Sequence, residues 1–135
     1  MCIRDSDYYT TTKGILEKVK AHAGDVDFEV QPELLSLFSN RDFGRYADEK
    51  GEMNVCFISN NDITGGNSGS AMFNSEGELL GLAFDGNWEA MSSDILYEPK
   101  MQRCIGVDVR YILFMIEKYG KAGNLIRELK IVPAK

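Results

Sequence analysis

The sequence predicts a mixed α+β fold in which a small antiparallel β unit is flanked by helices. Two apolar runs of strand length, Val55-Cys56-Phe57-Ile58 and Leu79-Leu80-Gly81-Leu82-Ala83-Phe84, sit among turns rich in glycine and asparagine. An apolar stripe at three- and four-residue spacing, Val109, Ile112, Leu113, Ile116 and Tyr119, then stops at Gly120. Strand patterns thus occupy the middle of the chain and helical patterns both ends.

Taken in order, Tyr8 to Ala23 reads as helix, with Ile15, Leu16 and Val19 at helical spacing between Lys and Glu, broken by Gly24-Asp25. Gln31 to Phe38 is a short helix with Pro32 in its first turn, where the missing proline N–H costs nothing. Ser39 to Met53 is polar and punctuated by glycine, hence loop. After Val55–Ile58, Ser70-Ala71-Met72-Phe73 is a second strand. Asn74 to Glu78 is a turn, Leu79–Phe84 a third strand, and Asp85-Gly86-Asn87-Trp88 another turn. Asn124 to Lys130 is a shorter helical piece, with Ile131-Val132 a candidate last strand. Such a β unit has edges unpaired within these residues, which implies strands elsewhere to complete it.

Composition narrows the function classes. With 135 residues, 44% hydrophobic and 27% charged, the chain is sized for one domain with a real core. A net charge of −6 with scattered Lys and Arg argues against a nucleic-acid partner. No apolar run approaches the roughly 18–20 residues of a membrane helix. Met1-Cys2-Ile3-Arg4-Asp5-Ser6 is too short and polar to be a signal peptide and leaves the compartment open. Cys2, Cys56 and Cys104 show neither CxxC pairing nor metal-ligand spacing. No metal and no cofactor is therefore expected.

The chemistry concentrates in Asn61-Asp62-Ile63-Thr64-Gly65-Gly66-Asn67-Ser68-Gly69-Ser70. It places a serine in a tight glycine turn between two strands. That arrangement can expose the Ser68 hydroxyl and aim the amides of Gly66 and Ser68 outward, as an acyl-transfer site requires of its nucleophile and oxyanion donors. A phosphate loop is excluded, because no lysine follows and a strand, not a helix, comes next. A serine hydroxyl also needs a base. The one histidine, His22, lies in Lys20-Ala21-His22-Ala23 and reads as a surface residue at a helix end.

The serine turn, followed by Gly77-Glu78-Leu79-Leu80-Gly81-Leu82-Ala83-Phe84-Asp85-Gly86-Asn87-Trp88-Glu89-Ala90-Met91, resembles the bacterial dipeptidyl-peptidase 7 and 11 family of serine exopeptidases. The similarity runs from Asp42-Phe43-Gly44-Arg45-Tyr46-Ala47-Asp48 through Gln102-Arg103, Val107-Asp108-Val109-Arg110-Tyr111 and the last helices. It implies the C-terminal half of a chymotrypsin-like double barrel, hence a partial antiparallel β-barrel here. Residues 7–53 would then lead into the barrel and residues 54–135 carry the nucleophile and the C-terminal helices. Residues 1–6 do not resemble the family.

The resemblance implies Ser68 as nucleophile, the Gly66 and Ser68 amides as oxyanion hole, and Asp85 as the carboxylate holding the substrate α-amino group. It also implies that Gly86 stands where members preferring acidic P1 residues carry arginine, P1 being the residue whose carbonyl is attacked. A glycine leaves an uncharged subsite, so an apolar P1 is expected. Asn67 replaces the aspartate that precedes the serine in trypsin-like enzymes, so activation by a new N-terminus is not expected. Ala71 stands where proline is usual. In the family the catalytic histidine and aspartate lie far upstream. The expectation is therefore a C-terminal portion of a longer peptidase, inactive alone, that as a full-length protein is a periplasmic or cell-surface homodimer acting on peptides with free N-termini. The rival expectation is a non-catalytic module that binds peptide N-termini through Asp85.

Overall fold

The computed structural model describes residues 8–92 and 95–132. In chain order the elements are β1 (Tyr9–Thr11), α1 (Thr12–Ala21), α2 (Pro32–Ser39), β2 (Asn54–Ser59), β3 (Ala71–Phe73), β4 (Leu79–Gly86), β5 (Cys104–Asp108), α3 (Val109–Phe114) and α4 (Gly123–Glu128). Short 3₁₀ turns lie at Val26–Phe28, Gly44–Tyr46 and Trp88–Ser92, and a π-helical turn, Met115–Tyr119, prolongs α3. The five strands form one antiparallel sheet in the order β1-β2-β5-β4-β3. Its edges, β1 and β3, do not pair with each other, so the sheet is open.

Two clusters of side chains fill the interior. The larger is Phe38, Phe43, Tyr46, Met53 and Phe114, ringed by Ile15, Leu16 and Tyr111, where α1 and α2 meet α3. Its rings pack with centroids 6.1 to 6.5 Å apart, Phe43 edge-on to Phe114. The smaller is Met72, Ala83 and Cys104, supported by Phe57 and Ile63, on the β3–β4–β5 side. Gly106 makes room there: a methyl on it would stand 2.6 Å from Met72 Sδ.

Several elements depart from the sequence reading. Helix α1 begins at Thr12, and Tyr9–Thr11 ahead of it is a strand. The cause is non-local. Tyr9 pairs Phe57 and Thr10 pairs Cys56, and the Thr10 hydroxyl accepts the Cys56 amide at 3.2 Å. The threonine run Thr10–Thr12 was the local signal for it.

The central strand β5 was not anticipated at all. Its inward face is Cys104, Gly106 and Asp108, and only the first of these reads as a core residue. Asp108 is buried because it ends the strand as the N-cap of α3, accepting the Arg110 amide at 2.8 Å and pairing with the Arg110 guanidinium at 2.6 Å. Asp85-Gly86 belong to β4 rather than to a turn. Ile131-Val132 form no strand. Cys56 and Cys104 are free thiols, while Cys2 and the rest of residues 1–6 lie outside the described residues.

Candidate active site

The segment between β2 and β3 is two successive β-turns. Thr64-Gly65-Gly66-Asn67 closes through Asn67 N–H to the Thr64 carbonyl at 3.2 Å, and Asn67-Ser68-Gly69-Ser70 closes through Ser70 N–H to the Asn67 carbonyl at 2.9 Å. In each, the third residue is a glycine at positive φ, Gly66 at 95° and Gly69 at 88°, the angle a type II turn demands there. Asn67 belongs to both turns and clips them, its Oδ1 accepting the Thr64 amide at 2.8 Å. Backbone geometry thus accounts for Gly66, Asn67 and Gly69 in this run.

Beyond the second turn the chain joins the sheet. Gly69 N–H donates to the Ala83 carbonyl at 2.7 Å and Ala83 N–H to the Ser70 carbonyl at 2.9 Å. This leaves Ser68 exposed at the turn's corner, its hydroxyl donating to the Phe84 carbonyl at 3.3 Å. The amides of Gly66 and Ser68 have no hydrogen-bond partner among the described residues. An exposed hydroxyl and two unspent amides within three residues are the donors and nucleophile that acyl transfer uses.

Strand β4 brings the second half of the site. Ala83 pairs Gly106 and Asp85 pairs Ile105, so Phe84 is an extra residue, a β-bulge. Regular alternation would put Asp85 on the face of the buried Gly81 and Ala83. With the bulge, Phe84 and Asp85 are both exposed. One Asp85 oxygen accepts the Gly86 amide at 2.8 Å, and the other has no partner among the described residues. The Ser68–Phe84 bond fixes the hydroxyl over the residue next to this carboxylate. Ser68, Asp85 and Gly86 therefore meet at one end of β4.

His22 does not join them. It follows α1, which springs from β1 at the far edge of the sheet, and stacks on Phe28 with ring centroids 4.0 Å apart. Among the described residues no group of three or more His, Cys, Asp or Glu could hold a metal ion. Behind the turn, a cleft of about 220 Å³ is lined by Ile63, Asn67, Ser70 and Cys104. Burial pushes the Cys104 thiol above its ordinary pKa and so keeps it protonated.

Sequence reasoning did not find the supports of this site. Asn67 as the clip between turns was legible in principle from an asparagine between the Gly65-Gly66 pair and Ser68-Gly69. Asn87 and Gln102, which fasten the loop after Gly86, gave no local signal because their partners are backbone groups far along the chain.

The Peptidase S46 family model matches residues 3–131, a span that takes in residues 3–6, which the sequence reading left outside the family, and the chain belongs to that family. It is 56% identical over 126 residues to Dipeptidyl-peptidase 7 of Porphyromonas gingivalis, an alignment covering 93% of this chain and 17% of that protein. To the Asp/Glu-specific dipeptidyl-peptidase of Capnocytophaga gingivalis it is 48% identical, over 92% of this chain and 17% of that one. The crystal structure of Porphyromonas endodontalis DPP11 in complex with the dipeptide Arg-Asp superposes with a TM-score of 0.87 at 40% identity, over 94% of this chain and 18% of that one. The chain thus spans less than a fifth of the length of these relatives.

Proposed function

We propose that these residues carry the nucleophile of a serine-type dipeptidyl-peptidase. Ser68 Oγ attacks the carbonyl carbon of the second residue of a peptide, its proton passing to a base. The oxyanion is met by the Gly66 and Ser68 amides. Collapse expels the shortened peptide as an amine, which takes the proton, and leaves a dipeptidyl ester on Ser68. Water then hydrolyses the ester to release the dipeptide. The free oxygen of Asp85 receives the substrate α-ammonium by a charge-assisted hydrogen bond, which fixes cleavage two residues from the N-terminus.

The observation that carries this reading is the pair of unspent amides beside the exposed Ser68 hydroxyl, with a half-free carboxylate on the adjoining bulge. Gly86 offers no charge to a P1 carboxylate, whose burial would need one. The P1 preference is therefore apolar. His22 caps the end of α1 and is stacked on Phe28, with no contact to Ser68, so the base and its orienting carboxylate come from polypeptide outside these 135 residues, and this chain alone is inactive. The open sheet is then part of a chymotrypsin-like barrel, residues 54–135 supplying its nucleophile-bearing portion. The complete enzyme is a homodimer in the periplasm or at the cell surface.

The test is fluorophosphonate labelling of the complete peptidase, with dipeptide reporters in parallel. Labelling and turnover that vanish in Ser68→Ala, with Leu, Met or Phe favoured at P1 over Asp or Glu, support the reading. Absence of labelling in the wild-type complete chain points instead to a non-catalytic module that binds peptide N-termini through Asp85.

A further inference from the structure

We propose that Ala90 is a second P1-specificity position, acting as a pair with Gly86, and that Gln102 is the positioning residue that holds it. The proposal rests on the peptidase reading above.

Gly86 bears no side chain, but the space beside it is already bounded. A Cβ built on Gly86 would stand 2.9 Å from the Ala90 Cβ, closer than two carbons sit, with the Arg103 carbonyl at 3.8 Å and Ile63 Cδ1 at 3.9 Å. Ile63 leads into the serine turn, so the Ala90 methyl and Ile63 Cδ1 together border the space beside Gly86. An apolar P1 side chain entering beside Gly86 meets this methyl and Ile63. The wall is aliphatic and uncharged because of residue 90 as well as residue 86.

Alanine has no side-chain rotamer to yield, so its methyl moves only if the backbone moves. That backbone is fastened at several points. Ala90 sits on the 3₁₀ turn Trp88–Ser92, its amide donating to the Asn87 carbonyl at 2.9 Å. Asn87 is tied to the approach to β5: its amide donates to the Arg103 carbonyl at 3.0 Å, its Oδ1 accepts the Arg103 amide at 2.8 Å, and its Nδ2 donates to the Met101 carbonyl at 2.8 Å. Gln102 completes the tether. Only 3% exposed, it donates from Nε2 to the carbonyls of Glu89 at 3.0 Å and Leu96 at 3.1 Å, and its Oε1 accepts the Glu98 amide at 2.9 Å. One buried amide thus holds both limbs of the excursion and sets the residue next to Ala90. Breaking it leaves backbone carbonyls to find water and frees the turn to shift.

The experiment compares P1 selectivity in the complete peptidase, using dipeptide reporters with Ala, Met or Phe at P1, and fluorophosphonate labelling of Ser68 as a measure that bypasses the P1 wall. In Ala90→Val the kcat/KM ratio for Met or Phe over Ala falls about 10-fold or more, the scale of methyl-sized changes in an apolar subsite. Most of that loss lies in KM, and the labelling rate stays within about twofold, far below the loss of even one oxyanion donor. Ala90→Gly, which adds no atoms, moves the ratio the other way. Gln102→Leu lowers the ratio by raising KM for Met and Phe at little change in kcat.

A ratio unchanged in both Ala90 variants, with labelling intact, overturns the assignment of Ala90. Equal losses for all three reporters overturn it as well, since they mark general damage and not a P1 wall. An unchanged ratio in Gln102→Leu removes the positioning role. A Gln102→Leu that fails to fold, with the Ala90 pair shifting as stated, likewise removes it and leaves Ala90 assigned. Wild type that neither labels nor turns over overturns the peptidase reading and this proposal with it, an outcome distinct from labelling without a selectivity shift.

Discussion

On the α3 side, Phe38, Phe43, Met53 and Phe114 are at most 2% exposed and every ring touches another. On the β3–β4 side the buried apolar cluster among the described residues is just Met72, Ala83 and Cys104, while Phe73 is 60%, Trp88 81% and Met91 73% exposed. The first region is ordered by apolar contact. The second holds its shape with turns and backbone hydrogen bonds: two glycine turns clipped by Asn67, a bulge at Phe84, and the Asn87 and Gln102 tethers. A site built this way can keep its amides and carboxylate facing water, which a packed core cannot permit without leaving them unsatisfied. The difference separates what keeps the chain folded from what shapes its chemistry.

Substitutions on each side should therefore act on different observables. Phe114→Ala removes the ring shared by Phe38, Phe43 and Tyr111 and should cost about 3–5 kcal/mol in urea unfolding. In the complete peptidase, at a temperature where it stays folded, the Ser68 labelling rate should be unaltered. A stability loss near that of a surface substitution would break the contrast. Asn67→Ala is the reverse experiment. It forfeits the Thr64 contact for about 1 kcal/mol of stability. On the proposed peptidase reading, loosening both turns should slow Ser68 labelling roughly 10-fold or more, the scale of losing an oxyanion donor. Labelling at the wild-type rate would show that the glycine angles alone hold the turn.

How much of this was legible follows the same division. Helices α2 and α3 and strands β2 to β4 lie close to their apolar runs, because there a single face decides the element. Ser68 could be singled out from its glycine neighbours, Asp85 from the family resemblance alone. Illegible were features whose cause lies elsewhere in the chain. Tyr9–Thr11 is extended because β2 offers it an edge, and Cys104–Asp108 is central because Asp108 has Arg110 to neutralise it. Gln102 matters because of carbonyls at positions 89 and 96, which no local pattern announces.

The smallest effect sharpens the contrast at the core end, where a charged cluster holds a carboxyl away from its ordinary pKa. Glu117, on the π-helical turn, accepts the Tyr46 hydroxyl and faces the Arg45 guanidinium at 3.3 Å. The Tyr46 hydrogen bond first, then the Arg45 charge, hold its carboxyl below the ordinary value of 4.5. A carboxyl depressed in the folded state favours folding above its unfolded pKa, and that advantage drains away as pH falls through the folded pKa. Glu117→Gln keeps an acceptor for Tyr46 but cannot titrate. Wild type should therefore be slightly more stable than Glu117→Gln at pH 6–7, and the gap should close as the pH drops below about 4.5. Because Arg45 is exposed, added salt should narrow the gap at neutral pH too. Melting temperatures of the two chains across pH 3–7 measure this. A gap that stays constant on acidification would mean that Glu117 is held by shape alone, and that its charge contributes nothing at the core end.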